Sequence, residues 1–154
     1  MLILKNNEGS IIRYISILYR YGQSYITKRL GALNIGSGQY VFLMTLYRKD
    51  GISQEELSSY LKIDKGTTAK AIKKLEEEEY LIRDIDLRDK RAYRISLTSK
   101  ALEVIPIIQA AAGDWENIIT SGLSEEESLC IERILQKMAQ NTYYIKVEDK
   151  ETEK

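Results

Sequence analysis

The densest set of side chains with chemical potential lies in "IRDIDLRDKRAYRISLT", residues 82 to 98, which holds five of the chain's twenty-three Lys and Arg. Its two ends alternate apolar with polar residues, the period of a half-buried strand, whereas its middle, "DLRDKR", does not. A two-stranded hairpin with so charged a tip suits a nucleic-acid groove. A narrow minor groove has enhanced negative potential, so an arginine at the tip fits there. In that use Arg91 enters the groove, Asp89 orients it by a charge-assisted bond, and Arg88 and Lys90 touch backbone phosphates.

The stretch before it, "DKGTTAKAIKKLEEEEY", has helical spacing. A wheel at about one hundred degrees per residue turns Ala69, Ile72 and Leu75 inward and Thr67, Lys70 and Lys74 outward, with Lys73 on the flank. Helix stability alone does not favour this order. Lys65 near the start and Glu76 to Glu79 near the end each oppose the helix dipole, by about 0.3–1 kcal/mol. Lys70 and Lys74, four residues apart, also repel one another. The order makes sense where the N-terminal half meets phosphates and base edges and the acidic end points away. Lys65, Lys70 and Lys74 then supply phosphate or base-edge contacts, and Thr67 and Thr68 supply hydroxyl contacts or methyl packing on thymine. A solvated helix face explains the lysines alone, and a solubilising tip explains the hairpin alone; neither explains both. The run Glu76 to Glu79 reads as solvated surface.

The remaining composition narrows the field. With no histidine and a single cysteine, Cys130, imidazole catalysis, the usual zinc sets and an internal disulfide are all absent. No nucleophile with base and orienter, phosphate loop or metal set appears, so neither an enzyme nor a cofactor is expected. The formal net charge is zero, but it hides a segregation. Residues 1–50 hold seven basic and two acidic side chains, 51–100 eleven and ten, and 101–154 five and eleven. One end is positive and the other negative, which lets zero net charge coexist with nucleic-acid binding. No signal-peptide pattern and no long apolar run occur, so neither export nor a membrane anchor is expected and the cytoplasm is the expected location.

Other elements must position these residues. Residues 10 to 30 place Ile11, Tyr14, Ile15, Leu18, Tyr25 and Ile26 at helical spacings, and Ile12, Ile17 and Tyr19 widen the stripe. A helix so apolar around its circumference is covered from two sides, and a second subunit is the expected second cover. After the connector "GALNIGSG", "QYVFLMTLYRKDG" reads as a buried helix ending at Asp50-Gly51. Ser53 and Glu56 have capping-box spacing, Asp64 can cap the lysine-bearing helix, and Thr98 and the Ser124–Glu127 pair can cap two later ones. Strands are expected near 81–86 and 91–97. Pro106 is expected to bend the helix that starts at 99, and Ile131, Ile134, Leu135 and Met138 form one face of the last helix. Cys130 is expected as a small buried hydrophobe. Trp115 is expected in core or interface. Helix, tight turn, second helix and charged hairpin, in that order, make a mostly α protein with a small β-hairpin wing, a winged helix-turn-helix.

"DKGTTAKAIKKLEE" followed by "LIRDIDLRDKRAYRISLTSKA" resembles the recognition helix and wing of the MarR (multiple antibiotic resistance) family of transcriptional regulators. The long apolar first helix and the closing "GLSEEE" helix fit as well, so the resemblance covers residues 8 to 145. Within the single domain over 1–154 that the length suggests, it implies a DNA-binding lobe at 36–98 and dimerisation helices at 8–32 and 99–145, while the polar end "KVEDKETEK" makes 146–154 an expected disordered tail. It also implies a homodimer on a palindromic operator of double-stranded DNA, usually repressing. Many such proteins release DNA when a small phenolic or other amphipathic ligand binds between the dimer helices and the DNA-binding lobe. Tyr14, Tyr19, Tyr21, Tyr40 and Tyr47, among eleven tyrosines, lie on the two helices that would line such a cavity, although packing explains them too. Two departures stand out: Glu79 occupies a position where the family usually has glycine, and the lone cysteine is not near the N-terminus. The alternative reading is a winged-helix module that binds protein or RNA without operator specificity.

Overall fold

The structure, a computed structural model, describes residues 9–87, 89 and 93–151. Ser10 opens α1 (Ile11–Leu30) by accepting the Arg13 amide, which satisfies one of the unpaired N–H groups of a helix start. A 3-10 turn at Gly31–Leu33 and Asn34, at φ +54°, lead to α2 (Tyr40–Arg48). Gly51, at φ +70°, then turns the chain into β1 (Ile52–Ser53), a strand too short for its sequence to announce.

The expected caps form. Ser53 Oγ accepts the Glu56 amide at 3.1 Å, while Glu56 Oε2 accepts the Ser53 amide at 2.7 Å, and α3 (Gln54–Leu61) begins there. Asp64 Oδ1 accepts the Thr67 amide at 2.8 Å at the head of α4 (Lys65–Glu77). Between them Lys62 adopts φ +56° and the Ile63 amide reaches back to the Ser58 carbonyl, the bond of a Schellman ending, with Ser58 Oγ donating to the Ile63 carbonyl at 2.6 Å. Two bonds between Ser58 and Ile63 thus close the turn that joins α3 to α4.

The hairpin strands are β2 (Leu81–Ile85), one residue shorter than expected, and β3 (Tyr93–Leu97), whose expected start at 91 lies outside the described residues. The antiparallel sheet runs β1-β3-β2, with Leu81 opposite Leu97, Ile85 opposite Tyr93 and Ile52 opposite Ile95. Thr98 Oγ1 caps α5 (Ser99–Ile119) by accepting the Ala101 amide at 3.1 Å. Helix α5 continues unbroken across Pro106 and Gly113, because Val104, Ile105, Ile108 and Ala111 bury an inner face that holds it. The Ser124–Glu127 box opens α6 (Glu125–Glu151) as expected.

The chain divides into two compact units, Met1–Glu116 and Asn117–Lys154. In the first, Phe42, Leu43 and Leu46 of α2, Leu57 of α3, Ile72 and Leu75 of α4, Ile95 of β3 and Ile105 and Ile108 of α5 make one buried core. Only Ile26 and Leu30 of α1 reach full burial. Farther up α1, Gly22 lies so close to Trp115 that a Cβ there would meet the indole at 3.0 Å, and Tyr25 packs beside that ring at 5.6 Å between centroids. Arg29 ties α1 to Asp114 at 2.6 Å. Trp115 therefore packs on the core, as expected. In the second unit no described α6 side chain is buried. Cys130 is half-exposed rather than buried, because nothing in its own unit covers that face of α6. No described helix is long and apolar enough to cross a membrane.

Candidate nucleic-acid interface

Helix α4 presents Lys65, Thr67, Lys70, Lys73 and Lys74 to solvent, and buries Thr68, Ala71, Ile72 and Leu75. Ile72 and Leu75 face inward and Thr67, Lys70 and Lys74 outward, as the wheel predicts, while Ala69 is only partly covered. Thr68, expected as a DNA contact, is 0% exposed, and its Oγ1 has no hydrogen-bond partner among the described residues. Ala71, Ile72 and Leu75, at three, four and seven residues from Thr68, share its helix face, so Thr68 lies on the core side and not on the outward one. Thr67 takes the outward place.

The lysines differ in their surroundings. Lys73 lies 3.8 Å from Glu77, one turn on, and Lys65 lies 3.1 Å from Glu55 of α3. Lys70 and Lys74 make no ion pair among the described residues, so their charge is available to a polyanion. At the head of the helix, the Thr67 amide holds the Asp64 carboxyl below its ordinary pKa, with the Thr67 side chain adding to the effect. Asp64 therefore carries a full negative charge near neutrality and offsets part of the unfavourable Lys65 position.

The end of α4 is built around Glu79, whose φ is +61°. Its amide bonds the Glu76 carbonyl, and the Tyr80 amide bonds the Leu75 carbonyl, both at 2.9 Å, which makes this a Schellman ending without glycine. The Tyr80 hydroxyl donates to the Leu33 carbonyl, Asn34 Nδ2 donates to Glu78 Oε2, and Lys100 Nζ donates to the Glu78 carbonyl. Burial raises the Tyr80 pKa, with the Glu78 charge contributing. The acidic run is therefore not simply solvated surface. Glu78 holds the connector after α1, and Glu76 receives both Arg83 Nε and Arg83 Nη2 at 3.0 and 2.9 Å, a bidentate clasp from α4 to β2.

At the hairpin base, Asp86 accepts Arg94 Nε at 2.8 Å, and Arg94 Nη1 donates to the Gly51 carbonyl at 2.7 Å. Asp50 Oδ1 accepts the Leu97 amide at 2.9 Å. These bonds pin the hairpin to the turn before β1. Neither Arg83 nor Arg94 was singled out from the sequence, although Asp86 and Arg94 are diagonal neighbours across the strand pair, a signal readable once the register is known. Toward the tip Leu87 is 98% exposed, and Asp89 is exposed. Arg88, Lys90 and Arg91 lie outside the described residues.

The five tyrosines are dispersed. Tyr14, Tyr19 and Tyr21 are exposed on α1, Tyr47 is exposed on α2, and Tyr40 packs partly against the core, where burial raises its pKa. Two shallow depressions, one beside Glu125, Leu129, Cys130 and Arg133 and one beside Lys49, Glu55, Tyr60 and Lys62, contain none of them.

Known proteins share this arrangement. The MarR family model matches residues 35–93, the span from the connector to the hairpin. The chain is 30% identical over 133 residues to YybA, an HTH-type transcriptional regulator of Bacillus subtilis, covering 86% of this chain and 89% of that one. A MarR transcriptional regulator from Methanosarcina mazei is 48% identical, with a TM-score of 0.80 over 88% of this chain and 97% of that one. A MarR family regulator from Listeria monocytogenes, solved in complex with 26mer DNA, is 28% identical with a TM-score of 0.81, over 87% and 89% of the two chains. A braced hairpin beside a lysine-faced second helix, carried on a fold and sequence shared over most of their length with these regulators, places the chain in the MarR family of winged helix-turn-helix transcriptional regulators.

Proposed function

We propose that the chain is a homodimeric, cytoplasmic repressor that binds a palindromic operator in double-stranded DNA and releases it when a small amphipathic ligand binds. The observation that carries this reading is the face of α4: Lys70 and Lys74 stand exposed, repel each other and lack a carboxylate partner among the described residues, next to a hairpin clasped by Glu76–Arg83 and Asp86–Arg94. Such a face is unfavourable for an isolated helix and favourable against phosphate. In the complex α4 enters the major groove with Lys65, Thr67, Lys70 and Lys74, and the wing enters a flanking minor groove with Arg88, Lys90 and Arg91, Asp89 orienting Arg91. Support for the dimer comes from α1 and α6, each of which exposes an apolar face in its own unit: Ile11, Ile12 and Leu18 on one, Leu129, Ile134 and Leu135 on the other. An effector seat lined by Tyr14, Tyr19, Tyr21, Tyr40 and Tyr47 completes when the second subunit covers α1.

Footprinting on the DNA upstream of the chain's own gene tests this reading. Two protected half-sites about one helical turn apart are expected, both lost in Lys70→Ala/Lys74→Ala. A single unprotected baseline, or equal retention of RNA and duplex, would favour the protein- or RNA-binding module instead. A panel of phenolic ligands should raise the melting temperature while weakening DNA binding, because an effector must favour one state to move the equilibrium.

A further inference from the structure

Lys65 already has an anionic partner in the unbound chain. Its Nζ lies 3.1 Å from Glu55 Oε1, and the two side chains are 77% and 78% exposed. Glu55 is the second residue of α3 and has no part in the α3 cap, which Ser53 and Glu56 close between themselves. What the Glu55 carboxylate does is neutralise a cation at the first residue of α4, the place where a cation opposes the helix dipole. A phosphate docking at that helix start would do the same. Carboxylate and phosphate offer Lys65 the same charge sign and similar oxygen acceptors, and because the two anions repel one another, an ammonium that turns to a phosphate leaves the carboxylate.

We propose that Glu55 is an internal competitor of DNA phosphate for Lys65, displaced each time a duplex docks. The proposal rests on the DNA-binding reading above and adds to it a residue that sets absolute affinity. An exposed ion pair is weak, so displacing it changes binding by a few-fold, not by orders of magnitude. Because the contested contact is to the backbone, the effect falls on operator and random DNA alike and leaves sequence preference unchanged. Its consequence is a looser complex, one that a modest effector can dissociate.

Fluorescence anisotropy with two labelled duplexes, one of random sequence and one from upstream of the gene, over a salt series, tests the proposal on wild type, Glu55→Gln, Lys65→Ala and the double variant. Glu55→Gln should bind both duplexes about two- to fivefold tighter, with a log–log salt slope steeper by up to about one counterion. In the Lys65→Ala background the same substitution should change affinity less than twofold. Glu55→Ala should act in the same direction, since neither change touches the capping box. No gain in either Glu55 variant would overturn the competition, and so would an equal gain in the Lys65→Ala background, which would mean that Glu55 acts only through its field. Lys70→Ala/Lys74→Ala, run alongside, separates the two levels: if that variant keeps full affinity the DNA-binding reading itself fails, and if it weakens while Glu55→Gln does nothing only the competitor role is lost.

Discussion

Glu79 is the residue where backbone conformation and side chain disagree. At φ +61° a non-glycine residue carries a steric cost that glycine does not, and the Glu79 side chain is exposed. Glu79→Gly should therefore stabilise the fold by about 0.5–1 kcal/mol, raising the thermal midpoint by about 1–4 °C, measured by circular dichroism. An unchanged or lower midpoint would show that the side chain contributes where the geometry says it does not. Thr68 makes a second case. With its hydroxyl buried and unpartnered, Thr68→Val removes an unpaired polar group at nearly constant shape and should stabilise by about 1 kcal/mol or more, leaving DNA affinity unchanged. Weaker DNA binding in that variant would return Thr68 to the interface. A wheel drawn from the sequence could not settle this residue, because threonine suits a groove and a core edge about equally and one position of rotation decides between them.

At the scale of elements, the local signals were legible and the cross-element ones were not. The Ser53, Asp64, Thr98 and Ser124 caps rest on partners three residues away, so spacing alone revealed them. The Glu76–Arg83 clasp and the Asp86–Arg94–Gly51 brace depend on how strands register against a helix and a turn, which no local pattern encodes. Strand β1 escaped because two residues cannot display a period. The caps carry a pH prediction. The Ser53 amide lowers the Glu56 pKa, as the Thr67 amide lowers that of Asp64, so both carboxylates are ionised and stabilising above their ordinary values of 4.5 and 3.8. Their contribution is lost as pH falls through the lower folded-state values, because the unfolded chain takes up protons first. Melting curves from neutral pH down to about pH 3 should therefore show an acid-side decline that is shallower in Asp64→Asn/Glu56→Gln, since Asn and Gln keep the capping bonds without titrating. An identical decline in the double variant would place the acid sensitivity elsewhere.

At the scale of the whole molecule, the length of apolar surface on α1 was evident from its composition, and its exposure in the single chain is what the structure adds. Ile12 is 77% exposed on α1 and Leu129 is 60% exposed on α6, values that an isolated soluble subunit has little reason to keep. Analytical ultracentrifugation should find a dimer, and Ile12→Glu/Leu18→Glu should shift it to monomer and abolish tight DNA binding together. A wild-type monomer with full DNA affinity would remove the dimer from the account. The tip of the hairpin is where sequence still leads: Arg91 is assigned its groove from residue type and position within "DLRDKR". The most direct measurement is accordingly fluorescence anisotropy on the DNA upstream of the gene, with random-sequence competitor and a salt series, comparing wild type with Arg91→Ala. The account predicts tight, steeply salt-dependent binding that outlasts competitor and collapses in the variant. Weak binding, indifferent to competitor and to the loss of Arg91, would contradict it.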